Sequence, residues 1–449
     1  MQLRGRLICH ILVTSLVAPP AEGFVKGGCR PGAGAVPPHA VCRSQLPVVA
    51  AAAAGADEIA RCVGSAFGVG TNMFKLAESF GWQRTAKAVS ALQDCRIRPK
   101  LAEERIVERE CSEALKYSIQ YARSCQDHDN VALLVTGPRG GGKTVLVEQA
   151  LEQLPGVIRL SYYGDSSNVR GWKVRHWIAR EVLESIEVDW RHHFKRAPSA
   201  QRFQLIAQLY KALSGRERLV LVLEVGEQAS IAAVEKLLWR VKVLGYEQGL
   251  ITCVVVSSAS RSAMLLPIDL GGLRVEVFNA PDFTDAEAHD VIRLQLPELL
   301  LKYPHLAKEI TDKVGTRAMH IAEVCRLCSK AEAVTEEDCR VHIKAVADRY
   351  LRCARGWVRS FVNSAVASNA ADPDDVNEFL GQLSEGDGEL TRADAKRIFG
   401  FITGDDLFAA LSANKAFAID LDSGRVKPYS FFTQAAIQKY LQAQAGSNS

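Results

Sequence analysis

Three apolar runs in the middle of the chain predict buried strands. They occupy 131–136, 219–225 and 250–256, and aliphatic residues dominate each of them. Between the runs, 145–154 and 201–213 carry apolar residues at the spacing of an amphipathic helix. Apolar strands that alternate with helices are typical of a parallel sheet covered on both faces. The pattern therefore predicts an α/β core.

After residue 282 the apolar residues follow a helical period. Thr284 is the expected N-cap of the first helix, and longer helices are expected at 306–314, 318–331 and 336–353. From residue 372 the elements become short. We expect helices at 374–383, 392–399 and 404–411, a two-stranded hairpin at 417–421 and 426–431 with the turn Asp422-Ser-Gly, and a last helix at 433–441.

The most informative segment joins the first predicted strand to the helix that follows it. Gly137–Thr144 has the pattern G-x-x-x-x-G-K-T, and its glycines permit backbone angles that turn successive amide groups towards one anion. Lys143 is expected to reach the β- and γ-phosphates, and Thr144 to hold Mg²⁺. The sequence therefore predicts a site for ATP with magnesium, formed by Gly137, Pro138, Arg139, Gly140, Gly141, Gly142, Lys143 and Thr144.

Hydrolysis requires an acidic residue for the metal and a polar group that orients water. Glu224, near the end of the second strand, is the expected second magnesium ligand, but Val225 stands where the water-activating glutamate ordinarily follows. Glu227 in the next loop is therefore the candidate base, and Ser257 after the third strand is the candidate γ-phosphate sensor. Arg261 is either a finger residue at a subunit interface or a solvated loop residue. Catalysis and binding with slow or no hydrolysis both stay open.

The order of these elements resembles the AAA+ and STAND group of P-loop ATPases, close to archaeal-type and origin-recognition ATPases. Ile106–Glu110 looks like the segment that begins the domain in those families, which places Val107 and Arg109 nearest the adenine. Phe283–Ala288 resembles the opening of their helical lid. In this resemblance Arg317 is either a second sensor of the γ-phosphate or a solvent-facing arginine.

The resemblance implies a parallel-sheet P-loop NTPase core, then a helical lid and a C-terminal winged-helix-like domain. We expect a largely disordered targeting presequence at 1–56, a helical linker at 57–100, the ATPase core at 101–282, the lid at 283–360 and the winged helix at 361–449.

Charge gives little reason to expect nucleic-acid binding. The chain has 55 basic and 51 acidic residues, a net charge of +4, and affinity for DNA follows the number of phosphate contacts. The predicted winged helix offers few basic residues, namely Arg392, Lys396, Arg397, Arg425 and Lys427. Winged helices either bind DNA or pack on the ATPase, and DNA is the weaker expectation here.

The first 56 residues have the features of an import signal. Two arginines precede the apolar run 7–18, Ala21-Glu22-Gly23 offers small residues for cleavage, and 24–56 contains no acidic residue. The order, with Phe24 after the presumed cut, resembles the bipartite plastid presequences of algae with complex plastids. A plastid is expected before a mitochondrion, while secretion and a misassigned start codon stay open. No later stretch has membrane-spanning length, so no integral membrane segment is expected in the mature chain.

Four residues have a spacing that zinc sites use. Cys325, Cys328, Cys339 and His342 form C-x2-C-x10-C-x2-H. Cys325 and Cys328 also continue the apolar stripe of a predicted helix, as buried cysteines often do. The favoured interpretation is reduced, buried thiols, with zinc as the alternative.

Three functions agree with this pattern. The first is a regulatory or remodelling ATPase, in which ATP sets the angle between core, lid and winged helix. The second is a non-catalytic, nucleotide-dependent interaction switch, suggested by Val225. The third is a DNA-binding, initiator-like ATPase. The expected partners are ATP and either another protein or a second copy of the chain.

Overall fold

The computed structural model describes the chain from residue 89 to residue 447 with gaps. The chain divides into two units, and every element named below belongs to the unit formed by Gln93–Glu187 and Ala197–Ser449. The predicted presequence at 1–56 lies outside the described residues. The described ranges are 89–95, 106–124, 132–162, 178–179, 182, 199–214, 217–226, 229–258, 275–329, 335–367, 372–385, 388–398, 416–419 and 425–447.

A five-stranded sheet forms the centre of the first part of this unit, in the order β2-β3-β4-β1-β5. Neighbouring strands all pair in parallel, which confirms the predicted α/β class. β1, β3 and β4 are buried along their whole length, as their unbroken apolar runs predict. The strands are β1 (Ala132–Thr136), β2 (Val157–Tyr162), β3 (Leu219–Val225), β4 (Ile251–Val256) and β5 (Val275–Asn279).

Helices pack against this sheet through their apolar sides. Leu115 and Ile119 of α1 and Leu146 and Val147 of α2 join strand residues in one buried cluster. Because α2 follows β1 directly, the predicted phosphate loop lies at the carboxyl edge of the sheet, where ligands of open α/β sheets bind. The helices of this part are α1 (Glu110–Ser124), α2 (Lys143–Leu151), α3 (Ser199–Leu213) and α4 (Ile231–Lys242).

Five helices follow the sheet. The Thr284 side chain accepts a hydrogen bond from the Glu287 amide, and the Glu287 carboxylate accepts one from the Thr284 amide, so the predicted N-cap is confirmed as a full capping box. α9 continues to Ala367, so the domain boundary predicted at residue 360 falls inside a helix. The helices are α5 (Asp285–Gln295), α6 (Pro297–Lys302), α7 (Leu306–Val314), α8 (Ala318–Cys328) and α9 (Glu336–Ala367).

The C-terminal part consists of helices and a short antiparallel hairpin. Phe361 of α9, Phe379 and Phe417 meet with ring centroids 4.7–5.9 Å apart, and one buried cluster joins this part to the preceding helices. The helix predicted at 404–411 lies outside the described residues, so the winged-helix assignment stays a prediction. The elements are α10 (Pro373–Ser384), α11 (Arg392–Ile398), β6 (Phe417–Ile419), β7 (Val426–Pro428) and α12 (Phe431–Ser447).

No helix in the described ranges combines the length and the apolar character that crossing a membrane requires.

A buried histidine links α8 to the C-terminal helix. The His320 ring lies 4.1 Å from the Tyr350 ring and 5.1 Å from the Phe432 ring, measured between centroids, and Nδ1 lies 3.1 Å from the Val314 carbonyl oxygen. Burial, reinforced by the positive charge of Arg317, lowers the pKa of His320 to about 4. The imidazole is therefore neutral in the folded protein at neutral pH.

This histidine predicts a loss of stability on acidification. The unfolded chain takes up a proton near the ordinary pKa of 6.5, whereas the folded chain does so only near pH 4, so the stability is complete above pH 6.5 and falls as the pH is lowered. The expected contribution is about 2 kcal/mol between pH 7 and pH 5. His320→Gln keeps a donor for the Val314 carbonyl but does not titrate. Urea unfolding of both proteins at the two pH values should show a smaller pH effect in the variant, and equal effects would contradict the prediction.

Candidate functional site

The loop between β1 and α2 has the backbone shape of an anion cradle. Gly137, Gly140 and Gly142 have φ angles of 150°, 76° and 83°, which L side chains rarely adopt. The Gly141 amide donates to the Pro138 carbonyl over 3.1 Å, and α2 begins at Lys143. The first amide groups of a helix point out of its N-terminus, so this turn directs donors and the positive helix end into the loop.

Lys143 lies over the loop that precedes it. Its Nζ donates to the carbonyl oxygens of Gly137 over 3.0 Å and Pro138 over 2.7 Å. Two backbone carbonyls thus hold the ammonium group, and a phosphate oxygen in the cradle would offer it a stronger, charge-assisted acceptor. The position of Lys143 therefore suits the role expected for it.

Thr144 and Glu224, the two expected magnesium ligands, lie side by side. Thr144 Oγ1 donates to Glu224 Oε1 over 3.0 Å. The same oxygen accepts from Arg159 Nη2 over 2.5 Å, and Ser161 Oγ donates to Glu224 Oε2 over 3.0 Å. Arg159 also pairs with Glu148 of α2. As it stands, the donor set does not fit a divalent cation, because Thr144 and Arg159 occupy both acceptor sites of Glu224 Oε1 and the guanidinium group adds a positive charge beside it.

Two buried hydroxyl groups lie at the ends of the central strands. Ser257 Oγ and Thr136 Oγ1 have no hydrogen-bond partner among the described residues, although the Ser257 amide donates to the Val135 carbonyl over 3.0 Å. A buried hydroxyl without a partner destabilises the protein. A polar ligand at this edge of the sheet would supply the missing partners, which agrees with the sensor role predicted for Ser257.

Arg109 lies behind the phosphate loop and holds it to the start of the lid. It is 2% exposed, and it donates to the carbonyl oxygens of Gly141 over 3.1 Å and Pro281 over 2.6 Å. Its guanidinium group also lies 5.0 Å from the centre of the Phe283 ring. Arg109 thus fixes the backbone of the loop. The sequence pattern did not suggest this role.

Val107, two residues before Arg109, borders an open cleft. Its carbonyl accepts a hydrogen bond from Gln149 of α2 over 2.7 Å. The cleft has a volume of about 510 Å³ and lies between this segment and the helices α5 and α6, lined by Ile106, Val107, Asp290, Arg293, Leu294 and Pro297. A mostly aliphatic cleft of this kind suits a flat apolar group such as a nucleobase, and the role of Val107 beside the base stays a prediction.

The lid and the C-terminal hairpin both contact the phosphate loop. The Met319 amide of α8 donates to the Gly140 carbonyl over 3.0 Å, and the Arg139 amide donates to Tyr429 Oη over 2.6 Å. Arg317 pairs with Asp282 over 3.0 Å and donates to the Tyr429 carbonyl over 2.5 Å. Arg317 is thus 4% exposed rather than solvent-facing. Sequence patterns carried no signal for Tyr429, because its contact with Arg139 spans 290 residues.

Two predicted residues cannot be placed. Glu227 and Arg261 lie outside the described residues, so their roles as base and finger stay predictions.

The cysteines and the basic wing residues have structural partners. Burial raises the pKa values of Cys325, Cys328 and Cys339, which keeps these thiols protonated, and no group of three or more His, Cys, Asp or Glu residues suited to a metal occurs in the described ranges. Arg425 and Lys427 lie 3.0 and 3.6 Å from Glu389. The burial and raised pKa values favour buried thiols over zinc, and Glu389 offsets one of the two positive charges of Arg425 and Lys427.

No protein-family model matches this chain, and no curated protein matches it. Among solved structures, the chain is similar to Drosophila ORC bound to DNA, with 12% identity, coverage of 80% of this chain and 91% of that one, and a TM-score of 0.35. It is also similar to Aeropyrum pernix ORC1 in complex with DNA, with 17% identity, coverage of 80% of this chain and 96% of that one, and a TM-score of 0.31. A third similar structure is C. elegans PCH-2, with 15% identity, coverage of 54% of this chain and 68% of that one, and a TM-score of 0.34. Because these TM-scores are below 0.5, the conclusions drawn for this chain depend on its own sheet and loop.

The cradle makes a prediction about its first glycine. A Cβ atom at Gly137 would lie 2.4 Å from the Ala280 carbonyl oxygen, which is backbone and has little room to move. With the positive φ angle, Gly137→Ala should cost about 2 kcal/mol or more. Gly356 is the matched control, since a Cβ there meets nothing within 4 Å and alanine favours a helix by about 0.5–1 kcal/mol. Urea midpoints should fall for Gly137→Ala and hold or rise for Gly356→Ala; equal midpoints would refute the strained-loop geometry.

Proposed function

We propose that this chain binds ATP and is a regulatory or remodelling ATPase of the AAA+ and STAND type whose hydrolysis is slow or conditional. The observation that carries the proposal is the cradle at Gly137–Thr144, with Lys143 folded over it and Glu224 3.0 Å from Thr144. A glycine-rich strand-to-helix turn with a lysine at this offset is built for a triphosphate. The cleft beside Val107 provides room for the base.

Slow turnover follows from the surroundings of the reaction site. Val225 is buried and apolar where a base is expected, so it neither orients nor deprotonates water. Glu224 shares its carboxylate among Thr144, Arg159 and Ser161. Hydrolysis in this chain therefore requires a rearrangement that frees Glu224 or brings in a polar group such as Glu227.

The contacts of the loop suggest how a bound nucleotide acts on the rest of the chain. Met319 of the lid and Tyr429 of the C-terminal part bond directly to loop backbone atoms. A triphosphate bound in the cradle shifts the loop backbone or adds negative charge close to the contacts that Met319 and Tyr429 make with it. Nucleotide occupancy is thereby coupled to the packing of lid and C-terminal part, which is the output that another protein or a second copy of the chain reads.

A second candidate function is a non-catalytic switch. The observation that favours it is the engagement of Glu224 by Arg159 together with Val225 at the position of the base. In that case binding and release of the nucleotide, rather than its hydrolysis, change the contacts of the lid. Steady-state turnover separates the two functions, because a measurable rate that Glu224→Gln removes would exclude the non-catalytic switch.

Removal of the loop lysine should weaken nucleotide binding. Lys143→Ala takes away a charge-assisted hydrogen bond of about 1.5–3 kcal/mol, so ATP affinity should fall by ~10- to 100-fold. The measurement is the titration of the purified chain with a fluorescent ATP analogue, followed by competition with unlabelled ATP.

Lys236→Ala is the matched control for this experiment. Lys236 is exposed on α4, so its removal changes the net charge equally without touching the loop. ATP affinity should be unchanged in the control and reduced in Lys143→Ala. Equal affinities in wild type and Lys143→Ala would refute the proposed binding site.

A further inference from the structure

A half-buried arginine lies between two carboxylates beside the predicted phosphate site. Arg159 of β2 contacts Glu224 of β3 over 2.5 Å and pairs with Glu148 of α2. The side chains of Arg159, Glu148 and Glu224 are 17%, 1% and 9% exposed. Alternation along β2 places Arg159 on the same face of the sheet as Ser161, and Ser161 is the register partner of Glu224.

The two carboxylates hold the guanidinium group in this position. Glu148 and Glu224 bring two negative charges into a region with little solvent, and Arg159 is the cation that the structure places between them. Withdrawal of Arg159 would leave two buried carboxylates without their positive partner, which is strongly unfavourable. Arg159 is therefore a fixed part of the site rather than a mobile surface side chain.

The guanidinium group takes the side of Glu224 that a metal ion would need. A divalent cation between Thr144 and Glu224 would have to bind Oε1, which already accepts hydrogen bonds from Thr144 and Arg159. The second oxygen accepts from Ser161. A dication beside a guanidinium group also meets a like charge, and repulsion of this kind is strong where solvent is scarce. Metal binding and the Arg159 pair thus compete for the same carboxylate.

We propose that the ion pair of Arg159 with Glu224 takes the place of a divalent metal ion beside Thr144, so that this chain binds metal-free nucleoside triphosphates. The inference rests on the proposed function, and it adds that the bound nucleotide carries no metal ion. Lys143 and the helix N-terminus meet the phosphates directly, while Arg159 offsets one of the two carboxylate charges, those of Glu148 and Glu224, that a triphosphate approaches. Arg159 is a positioning residue, since it acts through Glu224.

The test compares nucleotide affinity with and without metal. The full chain is titrated with a fluorescent ATP analogue in excess magnesium chloride and, separately, in excess EDTA. For the wild type we expect the two dissociation constants to agree within about threefold. A wild type that binds in magnesium but not in EDTA overturns the inference and leaves the proposed function standing. Absence of binding in both buffers overturns both.

A double variant reports on the role of Arg159 itself. Arg159→Gln together with Glu148→Gln removes one positive and one negative charge, keeps hydrogen-bonding groups, and leaves Glu224 available to a metal. Because Glu224 is then open to a metal ion, we expect magnesium to raise the ATP affinity of the double variant by about tenfold or more over its affinity in EDTA. Mn²⁺ binding in the presence of ATP, followed by electron paramagnetic resonance, should appear in the double variant and be absent or weak in the wild type.

The control is Arg397→Gln, which removes an exposed arginine whose partner is Asp394 on the same helix. Its metal dependence should equal that of the wild type. A double variant that binds ATP equally in both buffers overturns the role of Arg159. If the double variant does not fold, as judged by circular dichroism, the wild-type comparison and the manganese signal of the wild type still decide the inference.

Discussion

The conformation of the backbone between Thr136 and Lys143 is the constraint on which the site depends. Three glycines in this loop have positive φ angles, and a side chain at the first of them would collide with the backbone of Ala280. Segments far apart in the sequence hold the loop from outside, since Arg109, Met319 and Tyr429 each bond to its backbone. The loop is thus the point where core, lid and C-terminal part meet.

The charged side chains of the site have partners within the protein. Lys143 is held by carbonyl oxygens, Glu224 by Arg159, and Asp282 by Arg317. Such a network is stable without a ligand, because each buried charge has a partner of opposite sign or a polar acceptor. The arrangement explains how the cradle persists in the free protein, and it favours binding over rapid catalysis, since Glu224 is occupied and Val225 has no polar group.

The elements with strong local signals could be predicted, and those with broken signals could not. The uninterrupted runs at β1, β3 and β4, the loop and the Thr284 cap were evident from the sequence and are confirmed. β2 was missed because Arg159 and Ser161 interrupt its apolar run, and both of these residues bind Glu224. Tyr429 was missed because only the tertiary fold brings it to Arg139. The local sequence pattern therefore predicts the phosphate loop. The charged partners of Glu224 and the contact with Tyr429 depend on long-range packing, so the pattern does not predict them.

The most direct test is the affinity of the purified chain for the adenine nucleotides that differ only in the number of phosphates. In the proposed function the cradle and Lys143 recognise the β- and γ-phosphates, so calorimetric titration should show that ATP and ADP bind and that AMP binds far more weakly. Equal affinity for ATP, ADP and AMP, or no heat with any of them, would contradict a triphosphate site at Gly137–Thr144.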